Sequence, residues 1–393
     1  NGCADDCSQL GPHCGDGEFD REHGEMCDLG DRNGNAQCNV ACLVPGTILG
    51  SVYDDTVDTP SLGGEPMEAL IWNGRVTLVT TVGNSTVVWE LDDETIETAD
   101  LRELDEDDGG SPILGATALG NGHLLLASVS GFAKRALIVD ESLALQWEYS
   151  PIDNAASESF VGAATTSTGA ILGANHRSPN AMTPVSSYWT IGISDSGMID
   201  WQEIEEAGDG SVNSTDLHAL GGDRAVQAFH IVGDPGAAAF RIFDADGQVL
   251  AEDVIPQLSS SAIDWEICNG QDAFFLFNRS ISTLTGFDAD GAPTFDAIVS
   301  GTEFNSRCVT RGDGSPVVVS NAIDEDAFSS TMTVHGFDQA TQIYEIGLDA
   351  TLSYGDQPPA LLLDEERSRL WVFHTGRTAI DGGGFLYAAV VAI

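Results

Sequence analysis

The chain has 393 residues and carries 15 basic against 62 acidic side chains, a formal net charge of −47. So acidic a surface repels DNA, RNA and anionic lipid, which excludes nucleic-acid binding. No apolar run reaches the roughly 18 residues that a membrane-spanning helix needs.

Residues 1–44 read as a small disulfide-rich module. Cys3, Cys7, Cys14, Cys27, Cys38 and Cys42 are clustered in a Gly- and Asp-rich stretch without an apolar run. An even set of clustered cysteines indicates a disulfide framework and an oxidising compartment. Zinc sites favour close Cys-x-x-Cys pairs, which this stretch lacks. The spacing leaves the pairing open. The chain opens on Asn1 with neither Met nor an apolar targeting run, as a processed exported protein would, so the expected location is secreted or cell-surface. Asp28, Asp31, Asn33 and Asn35 place side-chain oxygens in one Gly-bearing loop, a pattern calcium uses. The same residues build tight turns through their own backbone hydrogen bonds, and that reading is preferred. Calcium is the one cofactor the sequence brings into view.

Residues 45–393 read as a propeller. Strand-like runs end in Asp92, Asp140, Asp195, Asp244, Asp288 and Asp338, at steps of 48, 55, 49, 44 and 50 residues. A rhythm of that size fits a repeat of four short strands. Hairpin residues that tolerate positive φ punctuate each unit: Asn73-Gly74, Gly120-Asn121-Gly122, Ser167-Thr168-Gly169, Gly221-Gly222-Asp223, Asn269-Gly270, Gly312-Asp313-Gly314 and Asp364-Glu365-Glu366. The fold expected is all-β: a seven-bladed β-propeller closed by an amino-terminal strand and preceded by the disulfide-rich module. Blades are placed near 67–102, 113–150, 160–205, 214–254, 261–299, 304–347 and 357–393. The last unit supplies only three strands, so residues 46–53 are assigned as its missing outer strand, removing two exposed sheet edges. Asp244-Ala245-Asp246-Gly247 and Asp288-Ala289-Asp290-Gly291 are read as hairpin turns rather than calcium loops. Cys268 and Cys308, at the ends of neighbouring inner strands, are expected to form a bridge between blades.

Two resemblances extend these readings. The elements Cys14-Gly15-Asp16-Gly17, Gly24-Glu25-Met26-Cys27-Asp28-Leu29-Gly30 and Cys38-x3-Cys42 fall in an order that resembles the myxobacterial cysteine-rich repeat, which implies export and no activity. The propeller segment, with Val88-Trp89-Glu90 and Gln146-Trp147-Glu148-Tyr149, loosely resembles quinoprotein-type propellers and carries no cofactor motif. Second strands ending in Asn-His, Phe-His, Phe-Asn-Arg and Phe-His-Thr-Gly-Arg also look like those of bacterial arylsulfotransferases. That likeness implies a nucleophilic His with sulfate-binding partners among His176, His230, Asn278, Arg279, His374 and Arg377. The paired inner-strand His of that family is missing; only His218, in Asp216-Leu217-His218, is near.

Lys134, Arg135, His176, Arg177, His230, Asn278, Arg279, His374 and Arg377 fall in or beside the loops between second and third strands. On so acidic a chain they read either as a cationic rim that binds an anion or as local partners for nearby Asp residues. No catalytic motif is present, and no carboxylate pair stands out for glycoside hydrolysis. The function expected is a secreted, non-catalytic binding or scaffold protein, recognising an extracellular glycan or protein through the propeller loop face. The alternatives are a self-assembling subunit of an extracellular filament or matrix, and an arylsulfotransferase-like enzyme.

Overall fold

A computed structural model describes residues 13–23, 25–33, 37–54, 67–82, 85–104, 113–130, 133–149, 157–177, 187–206, 212–231, 237–256, 265–279, 281–299, 306–324, 329–348, 353–354, 358–378 and 384–393. Strand β1 (Ile48–Asp54) is followed by an antiparallel sheet of β2 (Met67–Trp72), β3 (Arg75–Val82), β4 (Ser85–Asp92) and β5 (Glu97–Leu104). The next sheet holds β6 (Ile113–Ala118), β7 (Leu124–Ser130), β8 (Ala133–Val139) and β9 (Leu145–Tyr149). An eight-stranded sheet comes third. Its first half is β10 (Ser157–Thr166), β11 (Gly169–Arg177), β12 (Ser187–Ser194) and β13 (Ile199–Glu206). Its second half is β14 (Val212–Leu220), β15 (Arg224–Ile231), β16 (Ala237–Asp244) and β17 (Val249–Pro256). Two four-stranded sheets follow. They are β18 (Trp265–Cys268) to β21 (Pro293–Ile298), through β19 (Ala273–Asn278) and β20 (Thr283–Asp288), then β22 (Ser306–Thr310), β23 (Pro316–Asp324), β24 (Ser329–Asp338) and β25 (Thr341–Leu348). The last sheet combines β26 (Ser353–Tyr354), β27 (Ala360–Asp364), β28 (Arg369–Thr378) and β29 (Gly384–Ala392) with β1.

The innermost strands abut one another around an axis in the cyclic order β2, β6, β10, β14, β18, β22, β27 and back to β2. This is a β-propeller arrangement, in which radial sheets pack face to face around a channel. The repeat units do not all form separate sheets, as the sequence rhythm predicts. Hydrogen bonding gathers the described strands into six sheets, because β10 and β14 share one parallel pair, Gly162 with Leu217. A Cβ at Gly162 would stand 2.5 Å from the Leu217 carbonyl oxygen, so glycine alone permits this approach.

Burial explains the strand patterns. Middle strands such as β19 are covered on both faces and read as continuous apolar runs, whereas outer strands such as β5 and β21 face water and carry acids. The core lies between neighbouring sheets. Trp89 of β4, for example, meets Phe373 of β28 edge-on at 6.2 Å, within a cluster that joins the first and last sheets. Burying each such ring contributes about 1.5–3 kcal/mol.

The amino-terminal segment is tied down twice. Cys14–Cys42 and Cys27–Cys38 are disulfides, which fit an oxidising, extracellular setting; Cys3 and Cys7 lie outside the described residues. Asn39 Nδ2 donates to Ile393 O at 2.8 Å, and Gly46 N donates to Ala392 O at 2.7 Å. Strand β1 then pairs antiparallel with β29, from Ile48 opposite Val391 to Asp54 opposite Leu386. Among the described residues, no helix is long and apolar enough to cross a membrane.

Cys268 and Cys308 form the third disulfide, with Cα atoms 4.7 Å apart. Beside it lies an isolated parallel bridge between Asn269 and Val309, reinforced by Thr310 N donating to Asn269 O at 2.8 Å.

Candidate functional site

The inner strands bring ionisable side chains into the channel. Glu68 comes from β2, Asp216 and His218 from β14, Glu266 from β18 and Arg307 from β22, around a cavity of about 60 Å³. Asp216 is held twice: its Oδ1 lies 2.9 Å from His218 Nε2, and its Oδ2 accepts the Ile267 N–H at 2.9 Å. Glu266 pairs with Arg307 Nη1 at 3.1 Å and with Arg279 Nε at 3.7 Å, and accepts the Cys308 N–H at 3.2 Å. Glu68 completes the layer without a hydrogen-bond partner among the described residues.

Electrostatics follow from that geometry. Burial pushes the Glu68 carboxyl up to about 7, against the pull of the His218 and Arg307 charges. Burial would lower His218, but the Asp216 charge and hydrogen bond outweigh it and raise the imidazole to about 9. Asp216 is likewise desolvated, yet His218, Arg307 and the Ile267 N–H hold it below the usual carboxylate range. The layer therefore holds a charged His–Asp pair beside the Arg307–Glu266 ion pair, with Glu68 pushed toward its protonated form.

The channel opens on the tight-turn face. There a cavity of about 600 Å³ is lined by the turns at Thr165–Ser167, Gly221–Asp223 and Asn269–Gln271, by Leu361–Leu363 and by Glu365. It shares Ala69, Asn269, Val309 and Leu361 with the charged layer below. Turns of neighbouring units are stitched together here: Ser167 Oγ donates to Asp223 Oδ2 at 2.5 Å, and Arg224 Nη1 donates to Ala289 O at 2.8 Å.

The predicted cationic rim lies only partly within the described residues. The side chains of Lys134, Arg135, His176, Arg177 and Arg377 lie outside the described residues. His230, Asn278 and His374 are buried, and Arg279 turns toward Glu266. No described member of the set stands on an open rim. His374 is fully buried, with neither ring nitrogen partnered among the described residues, and burial lowers its imidazole to about 4. A side chain so enclosed is not reachable as a sulfate-accepting nucleophile.

In the amino-terminal loop, Asp28 accepts N–H groups from Gly15, Gly17 and Gly30, and Asn33 Nδ2 at 3.0 Å. Burial alone would raise this carboxyl, but the four donors hold it below its ordinary value. Asn33 Oδ1 accepts the Leu29 N–H at 2.8 Å, Asp31 is exposed, and Asn35 lies outside the described residues. Glu25, Asp28 and Cys42 bring ligand-type atoms within 4.8 Å of one another, but Cys42 is bonded to Cys14 and offers no thiolate. The oxygens here organise a turn.

Glu68, Glu266 and Arg307 do not stand out in the sequence, and Asp216-Leu217-His218 draws notice only as a mismatch to another family. Their signal is a charged residue inside an apolar inner strand, three to five positions before the hairpin turn, as in Glu68 before Asn73 and Arg307 before Gly312.

Comparison with known proteins places the fold and no more. No family model and no curated protein matches the chain, so the cysteine-repeat and sulfotransferase likenesses gain no support. Among solved structures the chain is similar to virginiamycin B lyase from Staphylococcus aureus, at 12% identity and TM-score 0.54, over 88% of this chain and 99% of that one. A catalytically inactive histidine-to-alanine form of that lyase with quinupristin gives 13% identity and TM-score 0.55, over 88% and 99%. A streptogramin B lyase gives 11% and 0.53, over 86% of this chain and 98% of that one. These likenesses carry the propeller architecture, and at such identity they carry no activity.

Proposed function

We propose that this is an exported, non-catalytic binding protein: a seven-bladed propeller, closed by β1 and preceded by a disulfide module over residues 1–44, that takes a glycan at the tight-turn mouth of its channel. The cyclic order of inner strands supports the blade count when the eight-stranded sheet is taken as two blades fused at Gly162. The pairing of β1 with β29 supports closure.

The observation that carries the functional reading is the mouth itself. Its volume of about 600 Å³ suits one or two sugar rings, and its described walls offer Thr166, Asn269 and Gln271 to hydroxyl groups. The recognition surface thus moves from the long-loop face to the turn face. A glycan array read with the wild type and with a Gln271→Trp variant, which fills the mouth, tests the reading. Glycan binding lost in the variant is expected. An array without any ligand, or one bound equally by both proteins, overturns it.

A further inference from the structure

We propose that the charged layer below the mouth is a binding site for a single carboxylate group, borne by a small organic acid or an acidic sugar. The layer presents donors with no partner. His218 uses Nε2 on Asp216 and keeps Nδ1–H, while Arg307 spends Nη1 on Glu266 and keeps its other N–H groups. Neither has a further hydrogen-bond partner among the described residues, although both feel the Glu68 charge. Both side chains keep part of their surface open to the cavity, 27% for His218 and 34% for Arg307, although protein surrounds the layer.

The free donors give the ligand's sign. His218 Nδ1–H and the remaining Arg307 N–H groups face the cavity, and Glu68, pushed up by burial, is a third donor there when protonated. A carboxylate accepts from all three groups. No other ionisable side chain faces Glu68 among the described residues: the described side chains of the inner strands β6 and β10 are all uncharged, and β27 brings Ala360 and Leu361.

The proposal goes beyond glycan recognition and is tested separately, because acetate needs no contact with the mouth. Calorimetric titration with acetate and with D-glucuronate, at pH 6, 7 and 8, reads it. The wild type is expected to bind acetate with proton uptake, and its Kd to rise about tenfold from pH 6 to pH 8 as Glu68 ionises. Glu68→Gln should bind with no pH slope over that range. Arg307→Gln, its fold checked by circular dichroism, should weaken binding at least about tenfold, the loss of a charged hydrogen bond. Glucuronate binding as tightly as acetate assigns the acidic sugar, and its exclusion assigns a small organic acid. The proposal is overturned by three results: no heat from acetate, an unchanged affinity in Arg307→Gln, or a pH slope that survives in Glu68→Gln.

Discussion

Replacing His374 with Phe isolates one buried imidazole and its response to acid. In the folded chain the ring is enclosed, unpartnered among the described residues and lowered from 6.5 to about 4. As pH falls, the unfolded chain takes up the proton first, so the stability contributed by neutral His374 is present above 6.5 and lost as pH falls through 4. At about 1.4 kcal/mol per pH unit, that interval amounts to roughly 3 kcal/mol by pH 4. Phe fills the same space, cannot charge and leaves no nitrogen unsatisfied, a defect that costs about 1–3 kcal/mol. Urea unfolding of both proteins, disulfides intact, at pH 7.5 and pH 4 gives the comparison. Other titrating groups are common to both and cancel in the difference. The variant's advantage should widen by about 3 kcal/mol between the two pH values. An advantage independent of pH would refute the claim that His374 is held neutral.

Other consequences are open to measurement. Replacing both Cys268 and Cys308 with Ala opens a loop of sequence separation 40 between neighbouring blades. Unfolding stability should drop by about 4 kcal/mol on the chain-entropy estimate. Glu266→Gln removes the carboxylate paired with Arg307 at 3.1 Å, so a loss of about 3 kcal/mol should appear in chemical denaturation; no change would mean the pair is solvent-screened. Asn39→Ala removes the bond to Ile393 O and two bonds from the Ala41 and Leu43 N–H groups. Hydrogen exchange in residues 37–47 should quicken, with a stability loss of about 1–2 kcal/mol.

The architecture was largely legible because propeller strands announce themselves locally. Gly122, at φ 83°, and Asn73, at φ 50°, sit in turns that demand positive φ, and the steps between third-strand Asp residues mark the repeat of a propeller. Residues 46–53 were read as an outer strand of the last unit, and β1 pairs with β29. What stayed hidden depends on the ring rather than the strand. Glu68 and Arg307 are separated by most of the chain and meet only because the inner strands converge on one axis. Gly162 gives no sign in the sequence that it fuses two sheets, because the reason is the Leu217 carbonyl beside it. The burial of His230 and His374 stayed hidden for a related cause. A second strand is a middle strand, so its polar end, as at His230 and His374, is covered by neighbouring sheets instead of facing solvent.

Hydrogen-exchange mass spectrometry on the complex with the strongest array glycan addresses the channel-mouth account most directly. Slowed exchange is predicted at residues 165–169, 221–223, 269–271 and 361–365, the turn face. Slowing confined to the segments joining second and third strands, such as 178–186 and 232–236, would contradict it.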